Sequence, residues 1–244
     1  MFRHQGNSRN ISHNKKIASL LSFVAGIVNV VGFLSVQRLT TNVTGHFAYF
    51  IDAIFKLEFS DSIVFFFYIF FFFLGSFVSS LLVEIMIRKN ERYVFFIPTL
   101  IESFILFSIG IFGSFLIVNN ANLIAYSLLF AMGLQNSLVT RISNAVVRTT
   151  HLTGLFTDLG IELSQLLFNK SNEQKSKLMI TIQLRLRIIF YFFIGGISGG
   201  ILFTHLEFQS LFVPAMLLLL GLYYDAIKYQ LVHWKRKYYV TENR

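Results

Sequence analysis

Long apolar segments, each about as long as a bilayer is thick, constrain this chain most. A transmembrane helix needs about 20 mostly apolar residues, and residues 17–36 contain no charged side chain. Residues 65–73 form an unbroken aromatic and aliphatic run without the polar alternation of a half-buried strand. Because only 14% of the residues are charged, an ordinary soluble domain is excluded. The sequence predicts an all-α polytopic membrane protein.

The distribution of basic residues decides how many of these segments cross the membrane. Two apolar segments, 46–57 and 155–168, are short and carry charges, which makes them poor spanning helices. If they do not cross, all Lys and Arg residues except Arg38 and Lys56 fall on one side, as the positive-inside rule favours. The predicted spans are therefore six: 17–36, 62–83, 93–118, 121–140, 188–204 and 211–227.

The same reasoning predicts the domain organisation and the location. A basic cytoplasmic tail at 1–16 precedes one transmembrane domain at 17–234, and a second cytoplasmic tail occupies 235–244. The first apolar segment is too long for a signal-peptide core and is expected to act as a signal anchor. We expect a multi-pass protein of the bacterial inner membrane with both termini in the cytoplasm.

Several function classes have no support in the sequence. The chain contains no cysteine, which excludes thiol catalysis and thiolate metal sites. It also lacks a P-loop, a G-x-S-x-G elbow and an HExxH motif, so it is not predicted to be an enzyme and no cofactor is expected. The positive charge is explained by topology, and nucleic acid is not an expected partner. Expected partners are membrane lipid and a small solute, while assembly into a homo-oligomer is left open.

The most informative feature is an internal repeat. Residues 40–45 and 149–154 both read T-T-x-x-T-G, and the upstream segments 23–29 and 130–136 also match. Small residues at 75–80 match those at 195–200. The chain is therefore interpreted as two repeats of similar plan, 17–118 and 121–234.

Because each repeat has three spans, the second must enter the membrane in the opposite direction, as in many transporters. Each T-T-x-x-T-G motif would then lead into a short re-entrant helix from a different side of the membrane. Thr44 and Thr153 are predicted to cap these short helices. Two facing helix N-termini would form a donor-rich, positive centre that favours an anionic or hydrogen-bond-accepting solute. The alternative is that each motif follows an interfacial loop and the short helices lie flat on the membrane.

Polar residues of the motifs and of the matching spans form the predicted substrate site. Asn29, Gln135 and Asn136 would flank it, although they could equally bridge helices. The adjacent histidines, His46 and His151, are too few to predict a metal site. The full predicted set is Thr41, Asn42, Thr44, Gly45, Thr150, His151, Thr153, Gly154, Asn29, Gln135 and Asn136.

Two acidic residues are candidate proton or ion carriers. Glu102 lies about 14 Å into the third span, near the midplane, where an ionisable group is costly. The alternative is a carboxyl kept neutral by burial or hydrogen-bonded to another helix. Asp158 is expected in the first turn of the second short helix, where helix capping competes with solute contact.

These motifs resemble those of the YoaK-type family of bacterial membrane proteins. The resemblance covers nearly the whole chain and rests on four segments: 25–29, 41–46, 131–136 and 149–154. Family members often have Asp at the position of Asn29 and Asn at the position of His46. The resemblance implies a six-helix inner-membrane protein and supplies no activity.

Three functional hypotheses remain from the sequence. The first is an inverted-repeat transporter or channel for a small solute, with its site at the two motifs. The second is a membrane scaffold or assembly factor that does not transport. The third is a lipid- or quinone-binding membrane protein that uses the Phe-rich second span.

Overall fold

All regular elements of the described residues are helical, as predicted. The computed structural model describes residues 11–89, 95–168 and 171–224, so most of the two terminal tails lies outside the described residues. The helices are α1 (Ile11–Val36), α2 (Thr44–Phe55), α3 (Phe59–Lys89), α4 (Phe96–Ser143), α5 (Leu152–Leu166), α6 (Asn172–Leu206) and, after a 3₁₀ turn (Glu207–Leu211), α7 (212–224).

Within the part of the chain that the structure describes, four helical stretches are long and apolar enough to cross a membrane: Ser12–Val36, Phe59–Lys89, Phe96–Ser143 and Asn172–Tyr224. The last two have 48 and 53 residues. At about 1.5 Å per residue, each is more than twice as long as the roughly 30 Å hydrocarbon core is thick. Each also contains a break, at Asn120 (φ −161°, ψ 80°) and at Glu207 (φ 47°). Both breaks fall between segments that the sequence predicts as separate spans.

Close helix contacts through glycine hold the structure together. A Cβ atom at Gly26 of α1 would overlap the carbonyl oxygen of Phe192 on α6. Conversely, a Cβ atom at Gly195 of α6 would overlap the carbonyl oxygen of Phe23 on α1. Small residues let helix backbones approach this closely in membranes. The two helices therefore meet backbone to backbone through reciprocal Phe-x-x-Gly segments.

The same contact occurs between α3 and the second half of α4. Gly75 faces the carbonyl oxygen of Phe130, and Gly133 faces that of Phe72. Segment 130–133 is the predicted repeat partner of 23–26, and Gly75 is the predicted partner of Gly195. The segments that the sequence predicts to be repeat partners thus make matching contacts, α1 with α6 and α3 with α4.

Contacts near the helix ends give the relative directions. Lys15 at the start of α1 donates to Gln183 near the start of α6 (3.1 Å), so these helices run parallel. Tyr68 near the start of α3 donates to Asn122 at the start of the second half of α4, so these segments are also parallel. Val36, at the end of α1, packs on the buried Tyr68 cluster. The second half of α4 therefore runs opposite to α1, its sequence counterpart.

The short helices α2 and α5 each pack on the long helix that follows. In the first half, Tyr49 stacks on Phe65 of α3, with ring centroids 5.3 Å apart. In the second half, Asp158 and Glu162 bind Arg185 of α6, both at 2.9 Å. At about 18 and 22 Å, both helices are shorter than the hydrocarbon core.

Apolar side chains also cover the outside of the bundle. On α3, Phe73 is 60% exposed and Phe77 is 54% exposed, while α1 contributes fully buried residues such as Leu21 and Val24. A large apolar surface of this kind is expected of helices that face lipid. Helix α1 therefore forms the centre of the bundle, and the Phe-rich face of α3 lies at its periphery.

Candidate functional site

A pocket of about 340 Å³ lies between the two T-T-x-x-T-G motifs. Helix α3 and the second half of α4 complete its wall. The lining residues are Thr41, Asn42, Val43, Thr44, Phe72, Asn136, Thr140, Arg148, Thr150 and His151. Two loops separated by more than one hundred positions in the sequence thus contribute to one cavity.

Left-handed residues end the helices that lead into both motifs. Gln37 (φ 53°) follows α1, and Asn144 (φ 51°) caps α4 at the corresponding place of the second repeat. A residue in this conformation terminates a helix and reverses the chain direction. Ala145 (φ 62°) belongs to the two-residue insertion of the second loop. Each motif is therefore folded back beside the helix that precedes it.

Matching hydrogen bonds then fix each motif to its own helix. The Thr41 hydroxyl donates to Asn29 Oδ1 at 2.6 Å, and the Thr150 hydroxyl donates to Asn136 Oδ1 at 2.8 Å. The two pairs occupy equivalent positions of the two repeats. Asn29 thus acts in the structure as an anchor for Thr41, whereas Asn136 both anchors Thr150 and lines the pocket.

Gln135 joins the two halves behind the pocket. Its side-chain amide donates to the Leu21 carbonyl of α1 at 3.0 Å and to the Thr149 hydroxyl at 3.3 Å. The residue is fully buried and is not among those that line the pocket. Gln135 therefore has the helix-bridging geometry that was the alternative to solute contact.

The N-termini of both short helices lie at the pocket. Helix α2 begins at Thr44 after Val43, and α5 begins at Leu152 after His151, and neither Val43 nor His151 caps its helix with a side chain. In α2, the Gly45 N–H donates to Asn42 Oδ1 at 3.4 Å. The prediction that Thr44 and Thr153 cap these helices is wrong, because both residues already lie inside the first helical turn. Helix N-termini carry unpaired N–H groups and partial positive charge. Two partially positive helix N-termini, those of α2 and α5, therefore lie at the pocket.

The motif glycines make room for side chains of their own motifs. A Cβ atom at Gly154 would lie 2.6 Å from Cε1 and Nδ1 of His151, and one at Gly45 would lie 2.9 Å from Cδ1 of Leu39. Gly154 thus allows the His151 ring to fold over the start of α5. Among the described residues, no atom of Gly154 lies within 4 Å of a Cβ atom added at Gly45, so the two glycines are not in contact.

The pocket is rich in unpaired hydrogen-bond donors. Arg148 forms no ion pair or hydrogen bond with any other part of the chain that the structure describes. The Thr44 hydroxyl likewise has no partner there, and the buried Asn136 Nδ2 is unpaired. No acidic residue is among the described lining residues. These groups can bind an anion or a hydrogen-bond acceptor.

Arg148 and Thr140 are lining residues that the sequence reasoning did not select. The sequence indicates Arg148 only as part of a basic, topology-setting segment. The position of Arg148 directly before the second motif could have indicated a role in the site. The residue directly before the first motif, however, is the uncharged Leu39. The pocket is therefore asymmetric in charge, which the repeat alone could not indicate.

Other predicted residues lie away from the pocket. Thr153 is exposed on α5. Asp158 lies in the second turn of α5 rather than the first, and its carboxylate is engaged by Arg185 at 2.9 Å. Glu102 is fully buried on the first half of α4, and neither of its carboxyl oxygens has a hydrogen-bond partner among the described residues.

The two histidines beside the motifs do not lie in one site. His46 is buried, with Nε2 2.6 Å from the Leu39 carbonyl and its ring 4.8 Å from that of Tyr68. His151 lines the pocket. Across residues 11–89, 95–168 and 171–224, no group of three or more His, Asp or Glu residues is arranged to hold a metal ion.

Comparisons with known proteins agree with the resemblance seen in the motifs. Residues 17–224 match a family described as a protein of unknown function (DUF1275). The transmembrane protein YoaK of Bacillus subtilis (strain 168) is 27% identical over 188 residues, which cover 74% of this chain and 80% of that protein. No solved structure gives a significant match.

Proposed function

Because the chain is a membrane protein that belongs to the DUF1275 family, whose function is unknown, we propose a function from its own geometry. In this proposal the protein is a transporter or channel for a small anionic or hydrogen-bond-accepting solute. The pocket that both T-T-x-x-T-G motifs line carries this proposal. Its volume, about 340 Å³, lies at the small end of ligand pockets, which span roughly 300–1,000 Å³.

The proposed topology is six spans in two inverted repeats, with both termini in the cytoplasm of a bacterial cell. The breaks at Asn120 and Glu207 support it, because each divides a stretch that is far too long for one crossing. The antiparallel arrangement of α1 and the second half of α4 also supports it. Equivalent helices run in opposite directions only when the twofold axis lies in the membrane plane.

Helix α2 has the position expected of a re-entrant helix. Its N-terminus is at the pocket beside Phe72, close to the middle of α3. Its residue Tyr49 stacks on Phe65, closer to the start of α3. The helix therefore extends from the middle of α3 towards one end, as a half-membrane helix would.

Helix α5 has the equivalent position on α6. His151 at its N-terminus lines the pocket, whereas Asp158 and Glu162 bind Arg185, about 15 Å before the central Gly195. Because α3 runs opposite to α1 and α6 runs parallel to it, α2 and α5 extend towards opposite membrane faces. Two half-helices that meet from opposite faces are typical of inverted-repeat transporters and channels.

The charges of the pocket favour an anion. Each helix N-terminus carries roughly half a positive charge, and Arg148 adds a full one. In a low-dielectric setting these charges would repel a bare cation and attract a carboxylate or an inorganic anion. Glu102 and Asp158 are not needed for this selectivity, since neither lines the pocket.

Thr44→Val is expected to weaken solute binding, and Thr153→Val is its matched control. Both threonines occupy the same motif position and neither hydroxyl has a partner in the described part of the chain, but only Thr44 lines the pocket. Losing one donor costs about 1 kcal/mol, or roughly a fivefold rise in half-saturating concentration. The measurement is flux into proteoliposomes for a panel of inorganic anions, small carboxylates and neutral solutes.

Equal effects of the two substitutions would contradict the placement of the site. If no solute of the panel enters faster than into empty liposomes, and one protein partner co-purifies in stoichiometric amount, the chain is a scaffold rather than a transporter. Flux of cations in preference to anions would overturn the charge argument.

A further inference from the structure

We propose that the groove between the N-terminal ends of α1 and α6 binds an anionic phospholipid. The groove has a volume of about 550 Å³ and is separate from the pocket between the motifs. Its lining residues are Lys15, Gln183, Leu186, Arg187, Phe190 and Tyr191. The inference does not depend on the proposed transport function, because none of these residues lines the other pocket.

Two cations in this groove have no acidic partner among the residues that the structure describes. Lys15 donates only to the neutral Gln183 (3.1 Å), and Arg187 donates to the neutral Ser19 (3.3 Å) while its guanidinium lies 6.0 Å from the Tyr191 ring centroid. Within the described residues neither forms an ion pair. Their positive charge is therefore free to bind a phosphate group.

Two other cations of the same helix are already neutralised, whereas Lys175 near its start has no ion pair among the described residues. Arg185 binds Asp158 and Glu162, and Lys177 binds Glu173 at 2.6 Å. The uncompensated charges of α6 are thus Arg187 in the groove and Lys175, which lies about 18 Å before it along the helix axis and does not line the groove. A basic pocket between membrane helices is the kind of site that binds acidic lipid headgroups.

The depth of the groove fits a lipid headgroup. Gly26 and Gly195 lie close to the centres of their apolar segments. Along the helix axes, Lys15 lies roughly 16 Å from Gly26, and Arg187 roughly 12 Å from Gly195. The hydrocarbon half-thickness is about 15 Å, and long basic side chains extend towards the interface. Both charged groups therefore reach the level of lipid phosphates.

Apolar side chains that line the groove distinguish a lipid from a free phosphate ion. Phe190 is 58% exposed and Leu186 is 48% exposed, and both line the same groove as the cations. Phe190 lies nearer to the bilayer centre than Arg187, where an acyl chain attached to the bound headgroup would run. A soluble phosphate would leave this apolar surface unused.

The test compares binding of phosphatidylglycerol, phosphatidylcholine and inorganic phosphate to the full chain in detergent, by native mass spectrometry and by thermal stabilisation. The wild type is expected to prefer phosphatidylglycerol at least tenfold over phosphatidylcholine. Lys15→Gln combined with Arg187→Gln should weaken phosphatidylglycerol binding about 30-fold, since each basic residue near anionic lipid changes affinity about fivefold. The control is Lys56→Gln combined with Lys177→Gln, which removes equal charge from residues already paired with acids.

The control pair should keep the wild-type preference. If the groove variant also keeps the preference for phosphatidylglycerol, the groove is not the binding site. If both double substitutions weaken this preference equally, the binding depends only on overall charge, which also contradicts the proposal. Inorganic phosphate that binds as tightly as phosphatidylglycerol would replace the lipid by a free anion and overturn the proposal. Circular dichroism of both variants checks that they are folded.

Discussion

Replacing Gly26 with alanine is expected to lower the free energy of unfolding by about 2–3 kcal/mol. The added methyl group would overlap the carbonyl oxygen of Phe192, which belongs to the backbone and cannot rotate away. The pair α1 and α6 must then separate, and the reciprocal contact of Gly195 with Phe23 is weakened at the same time. Stability in detergent, measured by thermal or denaturant unfolding, gives the result.

A glycine on the same helix pair supplies the control. A Cβ atom at Gly200 would lie 3.6 Å from Cγ1 of Val30, an ordinary contact, so Gly200→Ala should leave stability nearly unchanged. Gly133→Ala should be about as harmful as Gly26→Ala, because Gly133 faces the Phe72 carbonyl in the matching contact of the other helix pair. If Gly26→Ala and Gly200→Ala proved equally stable, α1 and α6 would not be in backbone contact.

Removing the positive charge of the pocket is expected to have the largest effect on function. Arg148→Gln should reduce anion uptake about 30-fold, because a hydrogen bond to a charged group contributes about 1.5–3 kcal/mol. Arg148→Lys should retain part of the activity, since it keeps the charge and loses the guanidinium geometry. Initial rates of labelled anion uptake over a range of concentrations measure the effect.

Arg141→Gln is the matched control for Arg148→Gln. Arg141 lies in the last turn of α4, is paired with Glu84 at 2.8 Å and does not line the pocket. Its substitution removes the same charge from the same part of the chain and should leave the uptake rate within about twofold. An Arg148→Gln protein with normal anion uptake would show that the pocket charge does not select the solute.

Local sequence patterns were sufficient to predict an all-helical chain with long apolar segments, and they predict the correspondence of the two halves. The apolar lengths and the repeated T-T-x-x-T-G motif depend on neighbouring residues, so they can be read without tertiary information. The break at Asn120 also falls where the third and fourth predicted spans meet. The sequence did not show which helices pack against each other, because a small-residue segment does not identify its partner helix.

The candidate site was harder to predict, because its composition depends on contacts between the two halves. The sequence indicates Arg148 only as a topology signal, whereas the fold places it in the same pocket as Thr44. Asp158 looked like an unexplained charge, since Arg185 lies far along the chain and the pairing follows only from the packing of α5 on α6. Helix α2 begins one residue before the predicted start and α5 begins two residues before it, so Thr44 and Thr153 are not caps.

The central claim is that the two motifs line one water-accessible solute pocket, and single-cysteine labelling tests it most directly. Because the chain has no cysteine, Thr44→Cys and His151→Cys each provide one thiol, one from each motif. Phe73→Cys, whose position is 60% exposed on the predicted lipid face, is the control. A charged, water-soluble thiol reagent should modify positions 44 and 151 and stop anion flux, should leave position 73 unmodified, and should react more slowly when a transported anion is present. Unreactive thiols at 44 and 151, or labelling that leaves flux unchanged, would contradict the account.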